Sequence, residues 1–358
     1  MLFALSFQRP PAPPRMMLAA VLLIAAVGAG LAAEAEPKGL WHLPLFRSPS
    51  EKAAYLQAEH AAVLTRPLKR AARRWPEIRP AILVMTGCSG STWISRMLRL
   101  MLLKAGVRVT RGHKNELMHP EKNPFYTPGL GIGGALTLMQ ARAYDANQTL
   151  FFKAEPNYLL GPQGLKPSVA ALLAMHPRVV LAWRANELDT MVCQVRDCFV
   201  ASGKGASVDA VTGERTDLCF ARRKEGAAGK HNKARLNVVR LAMRLRAASQ
   251  RPQHWAHALE NAGIGAPIVN ATYEQLAEFE HEASAPSALP HAIANFRRLT
   301  AALGFDVSLE AAQEVLAPLT GTRHPPPSHR TTIFNFDEVQ AALAQPGAHG
   351  SEHALLRP

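Results

Sequence analysis

Ala81-Ile82-Leu83-Val84-Met85-Thr86-Gly87-Cys88-Ser89-Gly90-Ser91-Thr92-Trp93 is the stretch that decides how this chain folds. Ala81–Thr86 is a short, continuous apolar run, the pattern of a strand buried on both faces in a parallel sheet. From Ser91 to Lys104, Ile94, Met97, Leu98, Met101 and Leu102 fall on one face of a helix, and Gly106 ends it. The turn between them carries glycines that let several backbone N–H groups converge, next to the positive end of the helix dipole. Ser89, Ser91 and Thr92 bring hydroxyl donors to the same mouth. The expected product is a strand–loop–helix phosphate site. No Lys follows Gly90, so the G-x-x-x-x-G-K-[ST] pattern of nucleoside triphosphatases is missing.

Working outward, strands and helices alternate. Thr149–Lys153, Val179–Trp183 and Pro267–Asn270 read as strands. Ser168–Met175, Glu187–Ala201, part of Lys230–Gly263 and Pro290–Leu303 read as helices, with Asn186 capping the second and Asp189 three residues on. This is an α/β fold with a mostly parallel central sheet flanked by helices. Residues 80–340 form the domain, residues 36–79 a stem with a lead-in helix, and residues 341–358 a disordered tail. The Gly-rich, charged stretch Gly203–Gly229 reads as an insertion loop.

The 358-residue chain is 48% hydrophobic and carries a formal charge of +14, which suits a globular body with anionic partners. Ten Lys/Arg against Glu225 alone lie between Arg222 and Arg251. Lys233, Arg240, Arg244 and Arg251 share one helical face, ordinarily a solvated one, which could also receive an anionic glycan. Neither a zinc finger nor a nucleic-acid module is recognisable. The cysteines Cys88, Cys193, Cys198 and Cys219 fit no zinc pattern. In an oxidising compartment the expected bridge is Cys198–Cys219, a loop of about 20 residues worth on the order of 3 kcal/mol, with buried thiols as the alternative.

Met16–Ala33 is an 18-residue apolar run preceded by Arg9 and Arg15. Residues 1–35 therefore read as a signal peptide or a type II membrane anchor, with Ala33-Glu34-Ala35 as a cleavage site. The sequons Asn147-Gln148-Thr149 and Asn270-Ala271-Thr272 are compatible with a lumenal body.

The turn Thr86–Trp93 resembles that of the sulfotransferase family, written P-K-S-G-T-T-W in cytosolic members and R-S-G-S-[ST] in Golgi carbohydrate members. Three further stretches match in order across roughly residues 80–340. Phe152–Pro162 is similar to K-T-H-L-P-x-x-L-L-P, with Glu155 standing at the catalytic His. Val180–Cys193 is similar to the segment ending R-N-x-x-D-x-x-x-S that grips the donor's 3′-phosphate. Arg184 matches the Arg, and Cys193 the Ser with one residue inserted. Val269–Leu276 is similar to V-x-Y-E-D-L. Cys88 departs from the family, which has Lys or Arg there.

The resemblance implies transfer of a sulfuryl group from 3′-phosphoadenosine 5′-phosphosulfate to a hydroxyl or amine acceptor, an anionic carbohydrate or a small hydroxyl compound. No metal is required. Gly87, Cys88, Ser89, Gly90, Ser91, Thr92 and Trp93 would hold the 5′-phosphosulfate, and Arg184, Cys193 and Arg330 the 3′-phosphate end. Lys153 would neutralise the sulfuryl group and Glu155 take the acceptor's proton, with His113 or Glu116 as the alternative base. A Golgi-membrane protein with a lumenal body is expected, or a secreted one after cleavage. A non-catalytic binder and a P-loop kinase are the rival readings.

Overall fold

The computed structural model describes residues 43–65, 79–86, 88–110, 117–120, 123–161, 164–197, 236–239, 241–265, 267–281, 284–323, 328–344 and 356. The N-terminal apolar run, Gly87, His113, Glu116, Cys198, Cys219, Lys233 and Arg240 lie outside them. The longer elements are, in chain order, α1 (Pro49–Thr65), β1 (Ala81–Val84), α2 (Ser91–Lys104), α3 (Gly131–Asp145), β2 (Phe151–Ala154) and α4 (Pro156–Leu159). There follow β3 (Leu160–Gly161), β4 (Gly164–Leu165), α5 (Ala171–Ala174), β5 (Arg178–Trp183), α6 (Glu187–Asp197) and α7 (Leu241–Asn261). The chain continues through β6 (Val269–Thr272), α8 (Tyr273–Ala277), α9 (Ala285–Ala302), α10 (Leu309–Leu316), α11 (His329–Thr332) and α12 (Phe336–Leu343).

Among the described residues, four parallel strands form the sheet in the order β2-β1-β5-β6. Before residue 111 the chain adds one isolated parallel bridge, Val109 to Thr149. Strand residues alternate between two cores, as a pleated strand requires. Ile82, Val84, Phe152, Ala154, Val179 and Leu181 face one, built with α1, α3 and α7. Ala81, Leu83, Phe151, Val180, Ala182 and Ala271 face the other, built with α2, α9 and α10. Both faces are covered, hence the unbroken apolar runs in sequence. The lead-in helix α1 is itself docked: Leu56 is fully buried, and Arg142 of α3 holds both Glu59 oxygens at 2.8 Å.

Two neighbouring strands send the chain opposite ways. From β1 it crosses through α2 on the second face toward the β2 edge; from β5 it crosses through α7 on the first face toward β6. A crevice opens at the carboxyl ends of strands with such divergent connections, the place where open α/β sheets bind ligands.

Candidate functional site

The turn after β1 is shaped by three local features. Cys88 has φ 63° and Gly90 φ 82°, both left-handed. A Cβ on Gly90 would stand 2.2 Å from Cδ2 of Tyr273, so the position tolerates only glycine. Ser89 is fully buried and its hydroxyl donates to the Thr86 carbonyl. It braces the turn from within, which corrects its expected role as a donor at the mouth. No side chain caps α2, and the N–H groups of Trp93 and Ile94 share the Gly90 carbonyl at 3.0 Å.

β2 lies beside this helix start and brings Lys153 to it. Lys153 is only 6% exposed, and its Nζ reaches Thr92 Oγ1 at 3.1 Å and Ser91 Oγ at 3.3 Å. An ammonium group and the positive end of a helix thus converge on two hydroxyls, an arrangement that favours an anion. The cleft in front of them has a volume of about 210 Å³. Cys88, Ser91 and Thr92 line one side, Lys153 and the exposed Glu155 another, and Met118, His119 and Tyr158 close it. The His119 and Tyr158 rings meet edge-on at 5.9 Å.

His119 and Tyr158 were not singled out by sequence reasoning. The loop that carries His119 is fixed by Asn123, whose side chain donates to Leu117 O at 2.7 Å and accepts from Phe125 N at 2.9 Å. Only that fold-dependent loop geometry puts an imidazole opposite Lys153.

The remaining candidates are placed differently. Trp93 is not part of the cleft lining; its ring packs among Tyr273, Phe279 and Phe296, and its N–H donates to Glu280 at 3.0 Å. Arg184 pairs with Asp189 at 2.9 Å, lies 3.9 Å from Glu274 and covers the Tyr273 ring at 5.3 Å. Asp189 also accepts from the buried His329 at 2.8 Å, since a carboxylate can only accept. Through His329 the C-terminal segment contacts the start of α6. Arg330 itself is exposed, 3.4 Å from Asp337 and over the Phe336 ring. Asn186 caps α6 as expected, accepting from Asp189 N at 3.1 Å.

The departures at Cys88 and Cys193 prove to be one feature. The two sulfurs form a disulfide, with Cα atoms 5.7 Å apart and a sequence separation of 105. Neither is the separate donor-facing thiol that the sequence resemblance implied, because the loop after β1 and the helix after β5 meet there.

Burial also shifts acids around this end of the sheet. Glu187, at the start of α6, is pushed up to about 8 by desolvation, against a partial lowering by Arg251 and a further rise from Glu274. Glu280 is raised by burial and drawn back by Arg323, which lies 3.0 Å away. The Tyr273 hydroxyl is likewise raised by burial.

No family model matches the chain, no characterised protein matches its sequence, and no solved structure matches its fold. The functional reading therefore rests on its own residues.

Proposed function

We propose that the chain is a sulfotransferase taking 3′-phosphoadenosine 5′-phosphosulfate as donor and a glycan or small hydroxyl compound as acceptor. The observation that carries this is Lys153: a buried ammonium at the N-terminus of α2, in contact with Ser91 and Thr92, beside a phosphate-type turn. That cation stands in for the Lys or Arg that Cys88 replaces. The proposal includes a P-loop-like role for the turn and a lumenal body, for which a disulfide suits an oxidising compartment.

The donor supplies an activated sulfuryl group. The acceptor oxygen bonds to sulfur while the bond from sulfur to the donor's 5′-phosphate oxygen breaks, and that oxygen keeps the electron pair. Lys153 and the first turn of α2 stabilise the charge gathering there and on the sulfuryl oxygens. Glu155, exposed at the cleft edge, takes the acceptor's proton.

A non-catalytic binder is the second reading, favoured by the fact that Cys88 is tied to Cys193 and offers no charge. The experiment is thermal stabilisation of the full chain by 3′,5′-adenosine bisphosphate and by ATP with magnesium, followed by a labelled-sulfate transfer assay. A ligand at 100 times its Kd adds about 2.7 kcal/mol. Stabilisation by the bisphosphate that Lys153→Met abolishes, together with transfer, supports the enzyme. Stabilisation without transfer to any glycan or small hydroxyl acceptor leaves the binder. A response to ATP alone turns the reading toward a kinase, and no response to the bisphosphate removes it.

A further inference from the structure

The Cys88–Cys193 bond joins the two halves of the crevice. Cys88 sits in the anion-facing turn and lines the cleft, at φ 63°. A residue with a Cβ avoids that region unless its surroundings impose it. Cys193 lies on α6, the helix whose Asp189 holds Arg184 at 2.9 Å. α6 thus holds Arg184 through Asp189 and, through a covalent bond at Cys193, the turn after β1. β1 and β5 are already paired from Ala81–Arg178 to Val84–Leu181, and the bond ties together the loop and the helix that follow them.

We infer that the disulfide is a positioning device for the anion site: Cys193, acting through Cys88, holds the turn in the left-handed conformation that aims its N–H groups and the α2 start at the ligand. The inference rests on the anion-binding reading of the cleft. The bond organises the turn covalently, before any ligand arrives. Preorganisation of this kind raises affinity by removing an ordering cost from the binding step.

The test separates conformation from mere stapling. Binding of inorganic pyrophosphate and of 3′,5′-adenosine bisphosphate is measured for the oxidised full chain, for the same protein in dithiothreitol, and for Cys193→Ser, Cys88→Ser and Cys88→Gly. Dithiothreitol gives two electrons and two protons to the S–S bond, yielding two thiols and its own cyclic disulfide. Losing the bond is expected to weaken both ligands at least tenfold, with reoxidation restoring the reduced wild type. Cys88→Gly, which also lacks the bond, should recover most of that loss, because glycine takes positive φ without a penalty. A purely stapling bond would make the Gly and Ser variants bind alike, and that result overturns the inference. So does binding within twofold of oxidised wild type by Cys193→Ser, which leaves the donor reading intact. If the oxidised wild type binds neither probe, the anion site falls and this role with it. Each variant's near-UV spectrum and melting curve, taken alongside, identify any that fail to fold, and the reduction and reoxidation cycle on wild type then decides the matter.

Discussion

Replacing Asp189 by Ala should unfasten the β5–α6 end of the molecule. Asp189 is 6% exposed and accepts from Arg184 at 2.9 Å and from His329, 1% exposed in its side chain, at 2.8 Å. Truncation takes from a largely buried guanidinium its nearest counter-charge and from the His329 imidazole its bond to Asp189. Breaking one partner of a buried pair costs about 3–5 kcal/mol, mostly the desolvation of the charge left behind. In a domain of this size that lowers Tm by on the order of 10 °C. Arg184→Met should hurt less, and Arg184→Met with Asp189→Ala should be less damaging than the sum of the singles, with a coupling of about 1–3 kcal/mol. Urea unfolding monitored by circular dichroism measures all four corners of that cycle. A cost below about 1 kcal/mol for Asp189→Ala, or strict additivity, would show that the network behaves as an exposed pair and contradict its placement as a buried anchor.

Gly90→Ala should cost about 2–4 kcal/mol, since it combines a left-handed φ of 82° with a Cβ 2.2 Å from the Tyr273 ring; thermal melting reads it. Glu187→Gln should raise stability at pH 8 and flatten its pH dependence in equilibrium unfolding. The folded protein holds Glu187 protonated up to about 8 while the unfolded chain loses that proton near 4.5, the ordinary value of a glutamate, so stability drains as pH rises between the two. In a secretory host, Asn147→Gln should abolish an endoglycosidase-sensitive mobility shift and Asn270→Gln should not. Both asparagines are exposed, but Asn147 lies at φ 51° in the turn before β2, whereas the backbone of Asn270 is held within β6, paired to Leu181 and with its carbonyl bonded to Arg298.

The sheet was legible because its central strands are covered on both faces, so that Ala81–Val84 and Val179–Ala182 announce themselves as unbroken apolar runs. α2 was legible from its single apolar stripe. α3 was not, because Gly131, Gly133 and Gly134 crowd its first turn and glycine is among the poorest helix formers. The packing explains the choice at Gly133, where a Cβ would stand 2.8 Å from the Ser168 carbonyl. At the site, Ser91 and Thr92 were named from a local turn pattern, and Lys153 from the resemblance carried by Phe152–Pro162. What remained hidden were commitments made across the chain. Asp189 and His329 are 140 residues apart, and Cys88 and Cys193 are 105 apart. A single sequence carries no trace of which distant group a side chain spends its charge or its sulfur upon.

Those commitments decide where the affinity for an anion resides. The formal charge of +14 suggests cations in surplus, yet near the crevice Arg184 is given to Asp189 and Tyr273, Arg323 to Glu280, and Arg330 to Asp337 and Phe336. Among the described residues lining the cleft, Lys153 is the one Lys or Arg. It is held at 6% exposure, where screening by water and salt is weak, so its attraction for an anion is worth several times that of a surface lysine. Lys153→Met should therefore weaken pyrophosphate binding by more than tenfold, while Arg330→Ala, exposed and already paired, should change it less than twofold; isothermal titration calorimetry compares them. A large loss with Arg330→Ala and a small one with Lys153→Met would place the anion at the C-terminal segment and remove the cleft from consideration.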